Sequence, residues 1–272
     1  MKTVEPSPCL LFYGIIRFMK TCCVIVPIYN IIPTDNEVLS IKRNCTVLKD
    51  YDIFFIHPFF MDVSAYETIV SQIKGFNIHF RPFKGKYFKS NKTYSRLLLS
   101  EEFYRQFIDY EYMLIAQTDT YILNTDHTLD EFIKISRIRS YDYWGAVWPD
   151  GPFKKPYTLK DRFKLAVVRE PDKLHVGNGG FSLRHVVNTI NLIRRRKNLI
   201  DFYWRFNEDM FFSWFAYVPD DKYRAASEEE AYDFALETNM KEEAKKGHIP
   251  YAVHAWEKHY PDILRFARDL HL

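Results

Sequence analysis

Five short apolar runs between Cys22 and Trp148, each divided from the next by a stretch of different periodicity, leave few folds open to this chain. They are Cys22–Tyr29, Tyr51–His57, Phe76–Phe80, Glu111–Gln117 and Tyr141–Trp148. The first reads CCVIVPIY, apolar at consecutive positions rather than alternate ones, as expected for a strand covered on both faces. The intervening stretches have helical spacing. Asn36–Leu48 places Val38, Ile41, Cys45 and Leu48 on one side; Lys92–Ile108 does the same with Tyr94, Leu97, Leu98, Phe103 and Phe107. Ser64–Lys74 opens with Ser64 and Glu67 at capping-box spacing, and Leu129–Ile138 completes the series. Strands alternating with helices predict an α/β fold with a Rossmann-type mixed, mostly parallel sheet and helices on both faces.

The pattern changes after Trp148. Pro149–His175 lacks periodicity and is long for a connection, which suggests a lid or a binding loop. Val176–Leu183 reads as a strand, Arg184–Arg196 and Glu208–Tyr217 as helices, and Ser227–Leu236 as helical. Ile249–Val253 is a short strand ending at His254, and Tyr260–Leu270 is an amphipathic helix. Residues 19–272 therefore read as one domain. Within residues 1–18 the apolar run Cys9–Phe18 (CLLFYGIIRF) is too short to span a bilayer; residues 1–18 read as an appendage, or Met19 is the natural start.

Charge and cysteines narrow the class. Lys and Arg number 38 against 35 Asp and Glu, a net of +3, which argues against nucleic acid as a partner. The one dense basic cluster, Arg194-Arg195-Arg196-Lys197, fits either a solvated helix end or a peripheral membrane contact. Cys9, Cys22, Cys23 and Cys45 have no CxxC or zinc spacing, so a reducing cytoplasm is the expected compartment. Cys22 and Cys23 should point to opposite faces of their strand.

Four places carry candidate chemistry. Asp119 follows the apolar run Met113–Ala116, at the carboxyl end of a buried strand, where open α/β sheets bind ligands; it is either a cation or diphosphate ligand or a turn cap. Gly177-Asn178-Gly179-Gly180 gathers three of the nine glycines within four residues. It reads as a substrate-shaping turn, with a structural turn or bulge as the plain alternative. GxGxxG spacing is absent. Glu208-Asp209 opens an aromatic helix, either to complement its dipole or to supply a base in a water-poor setting. His254 follows a short strand as a structural histidine or a second ligand beside Asp119, and Trp256 is placed to stack on a sugar.

In this order the pieces resemble a family. Val24-Ile25-Val26-Pro27-Ile28-Tyr29-Asn30 is similar to the first strand and nucleotide-binding turn of GT-A glycosyltransferases. Tyr94–Tyr104, Tyr112–Asp119, Tyr141–Trp148, Val176–Arg184, Asn207–Trp214 and His254-Ala255-Trp256 resemble a domain family long catalogued as of unknown function, found mainly in bacterial surface-polysaccharide (capsule, O-antigen) gene clusters. The resemblance runs from about Cys22 to Trp256.

It implies a glycosyltransferase moving a sugar from a nucleoside-diphosphate sugar, UDP-sugar favoured, to a saccharide or lipid-linked saccharide, with inversion. The nucleotide-binding half would span about 19–125 and the acceptor half about 126–272. Pro27, Tyr29, Asn30 and Asp119 would bind the donor. Asp119 and His254 would hold a divalent cation, Mn²⁺ or Mg²⁺, although position 121 is Tyr where the family pattern has a second acid. Asn178, Gly179, Gly180 and Trp256 would line the acceptor site. Asp209 would be the base, with Glu208 in reserve. The enzyme would work in the cytoplasm or on the inner face of the membrane. The missing acid keeps open a catalytically inactive sugar- or nucleotide-binding protein. A nucleotidyltransferase fits less well, because Tyr29–Asp35 has neither glycine nor a basic residue.

Overall fold

The computed structural model describes residues 19–73, 75, 77–148, 176–203, 207–263 and 265. Residues 1–18 and Pro149–His175, the expected appendage and lid, lie outside them, as does most of the expected final helix.

The strands are β1 (Lys20–Pro27), β2 (Asp52–Pro58), β3 (Asn77–Phe83), β4 (Tyr110–Ala116), β5 (Tyr121–Ile122), β6 (Tyr143–Val147), β7 (Val176–His185), β8 (Ala235–Leu236) and β9 (Ala252–Val253). They form one mixed sheet in the order β3-β2-β1-β4-β7-β6-β8-β9-β5. β1 pairs in parallel with both β2 and β4, while β7 runs antiparallel between β4 and β6. The sheet is the expected α/β type, mostly parallel. Its apolar runs are buried on both faces: Cys22, Val24 and Val26 enter one core cluster, Cys23 and Ile25 the other.

Local chemistry explains most boundaries. Thr34 caps the Asp35–Val47 helix in a capping box with Glu37. The box expected at Ser64 does not form. The Ser64–Ser71 helix starts one residue earlier, at Val63, without a side-chain cap, and Asp62 Oδ1 instead accepts from the Ser64 amide. The single helix expected over Lys92–Ile108 is broken into Asn91–Leu98 and Glu101–Arg105. Ser100 causes the break: its hydroxyl accepts from Phe103 N and so starts a second helix. The apolar stripe survives because Leu97, Leu98, Phe103 and Phe107 all enter one core.

Two corrections concern the glycine block. Gly177–Gly180 is not a turn before a strand; it lies inside β7, and Arg184, expected to open a helix, also belongs to β7. Trp144 pairs with Leu183 but Ala146 with Asn178, so β7 carries extra residues opposite Gly145. Such a bulge re-aims side chains locally. The following helix runs Val186–Arg195. The basic cluster at its end is engaged within the protein: Arg194 pairs with Glu101, and Arg195 and Arg196 pair with buried Asp221. No helix among the described residues is long and apolar enough to cross a membrane.

Candidate active site

Strand order reverses direction at β1, whose neighbours β2 and β4 lead to opposite edges of the sheet. Ligands of open α/β sheets bind outside the carboxyl ends of such strands. Here those ends carry Pro27, Tyr29 and Asn30 after β1, and Gln117, Thr118 and Asp119 after β4. Together with His254 and Tyr94 they line a cleft of about 670 Å³. Five residues named from sequence, Pro27, Tyr29, Asn30, Asp119 and His254, therefore meet in one place.

Buried hydrogen bonds fix the Asp119 turn. Glu37 accepts from Thr118 Oγ1 at 2.8 Å, tying the first helix to the end of β4. Asn44 donates to the Thr120 carbonyl and accepts from the Ile122 amide. Arg43 donates to the carbonyls of Ile122 and Leu123. Tyr121, where a second acid would stand, is buried in the core and pairs with β9. The turn thus presents one carboxylate.

Asp119 Oδ1 lies 3.4 Å from His254 Nε2. Burial pushes the Asp119 carboxyl up, but His254 more than offsets this and holds it below the ordinary carboxylate range. Burial pushes the His254 imidazole down, and Asp119, then Glu237 and Asp209, outweigh it and leave it raised. The pair therefore favours carboxylate and imidazolium. Asp119 Oδ1 and His254 Nδ1 are buried without a hydrogen-bond partner.

The glycines seat these groups. A Cβ on Gly180 would overlap the His254 ring, and one on Gly177 would overlap the Trp148 ring. A Cβ on Gly179 would stand 2.8 Å from Glu208 Oε1 and 3.3 Å from Asp209 Cβ. Gly179 and Gly180 do not have positive φ, so space rather than backbone conformation demands glycine at both. Gly180→Ala is expected to push His254 off Asp119, weakening cation and nucleotide binding by at least about tenfold, with overpacking costing roughly 1–3 kcal/mol. Calorimetry and thermal unfolding would read both effects; undiminished binding would contradict the seat.

Asn178 donates to Glu237 at 2.5 Å, and its Oδ1 accepts from the Gly180 amide. Glu208 is buried with both oxygens occupied, by Arg184 Nη2 at 3.2 Å and Ser95 Oγ at 2.8 Å. Its reserve role as base is thereby displaced by a structural one. Asp209 differs. Burial first, then repulsion from Glu208, pushes its carboxyl up to about 7, against the amides of Met210 and Gly179. Asp209 lies against Gly179 but not among the residues lining the cleft.

Trp256 is corrected. It is 1% exposed, its indole N–H donates to Ser40 Oγ at 2.8 Å, and its ring meets Tyr121 edge-on. It is a core residue that fixes the turn after His254 and cannot stack on a sugar. Sequence reasoning missed Glu37, Glu237 and Tyr94 in the cleft and Arg184 beneath it. Only the Thr34–Glu37 spacing gave a signal, and that for a cap.

A family model described as "Protein of unknown function (DUF5672)" matches residues 77–254, well over half of the chain. The chain belongs to this family. No curated protein gives a significant match. Among solved structures, a DUF5672 member of this shape is similar to the apo WbbM bifunctional glycosyltransferase, with a TM-score of 0.53 at 11% identity over 89% of this chain and 47% of that one. It is also similar to apo mouse xyloside xylosyltransferase 1, with a TM-score of 0.55 at 9% identity over 86% of this chain and 97% of that one. The chain thus spans about half the length of the first. At these identities the likeness establishes a glycosyltransferase-type fold.

Proposed function

We propose that this DUF5672 chain is a glycosyltransferase that moves a sugar from a nucleoside-diphosphate donor, UDP-linked by preference, to a saccharide or lipid-linked saccharide in bacterial surface-polysaccharide synthesis, with inversion. The observation that carries the reading is the Asp119–His254 pair at the switch-point cleft, on a sheet shared with glycosyltransferases.

The cleft is lined by Glu37, Asp119, Glu237 and Glu257 against only Lys89 and His254 among charged residues. A diphosphate entering so acidic a site needs positive charge. Asp119 and His254, whose Oδ1 and Nε2 face each other at 3.4 Å, fit two protein ligands of a divalent cation. Among the described residues no group of three His, Cys, Asp or Glu side chains forms a complete cage, so donor and water oxygens would share the ion. Bound there, Mn²⁺ or Mg²⁺ would act as a Lewis acid on the leaving diphosphate. Tyr29, exposed beside Pro27 and Asn30, offers its ring and hydroxyl to the base and ribose. With no cation bound, protonated His254 would instead donate toward the charge that grows on the diphosphate. Asp209 takes the proton of the acceptor hydroxyl, for which a carboxyl near 7 is well matched.

Calorimetry with UDP, GDP and CMP, each with and without Mn²⁺, tests the donor side, followed by diphosphate release on a panel of sugar nucleotides. UDP with Mn²⁺ should bind best, and Asp119→Asn should weaken it by about tenfold or more. Because a ligating imidazole must lose its proton, Mn²⁺ affinity should rise with pH through the raised His254 pKa. Nucleotide binding without turnover on any donor and acceptor would instead identify a binding protein on this fold.

A further inference from the structure

Three loops leave the carboxyl ends of β1, β2 and β3 side by side, since Pro27 pairs with Ile56 and Pro58 with Phe83. The Ile28 amide bonds the Ile56 carbonyl, and the Phe59 amide bonds the Phe83 carbonyl, so the loops start in contact. Each carries side chains that folding leaves in water. Ile31 and Ile32 follow β1, and Ile32 is 76% exposed. Phe59 and Phe60 follow β2, and Phe60 is 95% exposed. Lys84, Lys86, Lys89 and Lys92, all exposed, follow β3. Opposing acids in these loops are Asp35 and Asp62, and Asp62 is already engaged by the Ser64 amide.

Large apolar side chains at adjacent loop tips, rimmed by cations, need an explanation in a water-soluble surface. We infer that this rim docks on an anionic lipid bilayer, with Phe59, Phe60, Ile31 and Ile32 entering the headgroup boundary and the lysines facing anionic lipid. A bilayer fits better than a protein partner on two grounds. Ile31, Ile32 and Phe60 project from separate tips, while Phe59 edges a small pocket beside Lys84 and Glu102. The four exposed lysines outnumber the acids Asp35, Asp62 and Glu102 around them, which suits an anionic surface. The docking surface differs from the Arg194–Arg196 cluster, whose charge is spent on Glu101 and Asp221. It also adjoins the cleft: Phe88, Lys89, Ser90 and Asn91 line that cleft beside Tyr29 and Asn30. If the proposed transfer reaction holds, docking here would bring the cleft to the bilayer and favour the lipid-linked class of acceptor.

The test uses the whole protein and vesicles of phosphatidylcholine, alone or mixed equally with phosphatidylglycerol. Co-sedimentation is expected with the anionic vesicles, falling as salt is raised. Phe60→Ser, and separately Lys84→Glu with Lys86→Glu, should each lower partitioning by about tenfold. Thermal unfolding and UDP binding measured in parallel should be unchanged, since these side chains lie outside the core and the cleft. The docking is overturned if the wild-type protein ignores anionic vesicles, or if both variants bind as well as it does. It is also overturned if the rim instead supports a concentration-dependent dimer that Phe60→Ser disperses. No sugar transfer enters this readout, so failure of the enzymatic reading would leave it interpretable.

Discussion

Asp209→Asn is expected to lower sugar transfer by roughly 10²–10⁴-fold while leaving UDP binding unchanged, because a base acts on the acceptor and not on the donor nucleotide. The same substitution should stabilise the fold at alkaline pH. In the unfolded chain an aspartate ionises near its ordinary value of 3.8, whereas in the folded protein burial and Glu208 raise this carboxyl to about 7. Below the lower value both states hold the proton, and the residue costs nothing. As pH rises from about 4 to 7 the unfolded chain releases its proton first, so Asp209 drains stability, and above about 7 the full cost persists. Asn removes that cost. The variant should therefore match the wild-type Tm near pH 4 and exceed it by several degrees at pH 8. Full transfer activity in Asp209→Asn would end its assignment as base, and equal Tm at both pH values would end the account of its raised pKa.

Arg184→Leu should be the most destabilising single change in the protein. Arg184 is fully buried, donates to Ser182 Oγ at 3.1 Å, to Tyr104 Oη at 2.9 Å and to Glu208 Oε1 at 3.2 Å, and stacks on Phe212 at 4.8 Å. Removing the guanidinium leaves Glu208 as a buried carboxylate with only the Ser95 hydroxyl for company. Orphaning one partner of a buried pair costs about 3–5 kcal/mol. Arg184→Leu combined with Glu208→Gln removes both charges and should recover at least half of the loss. Urea denaturation of the two single variants and the double variant would measure this. A loss below about 1 kcal/mol for Arg184→Leu would show that the pair does not organise this layer.

The sheet was legible because its central strands β1, β2 and β4 are apolar runs and its helices keep their stripe. The placement of Asp119 in the cleft was legible for a related reason, since the cleft opens at the carboxyl end of the buried strand it follows. What failed depended on contacts distant in sequence. Around residue 100 the only local signal is Ser100 before Glu101 and Glu102, a helix start that an uninterrupted apolar stripe outweighs until the serine hydroxyl finds Phe103 N. The glycine block looked like a turn because glycine permits turns. Its actual reason, the nearness of His254 and Glu208, is set by chain segments far along the sequence. Trp256 looked free because its partner, Ser40, lies 216 residues away.

The bulged segment of β7 has a consequence for how this molecule can change. Consecutive glycines 179 and 180 make room for different neighbours, one for the Glu208–Asp209 helix and the next for His254. Inserting or deleting one residue there would present each neighbour with the other's seat, so the positions of Asp209 and His254 cannot be adjusted separately through this strand. Related chains should vary the loops around the cleft and leave the length of this segment alone.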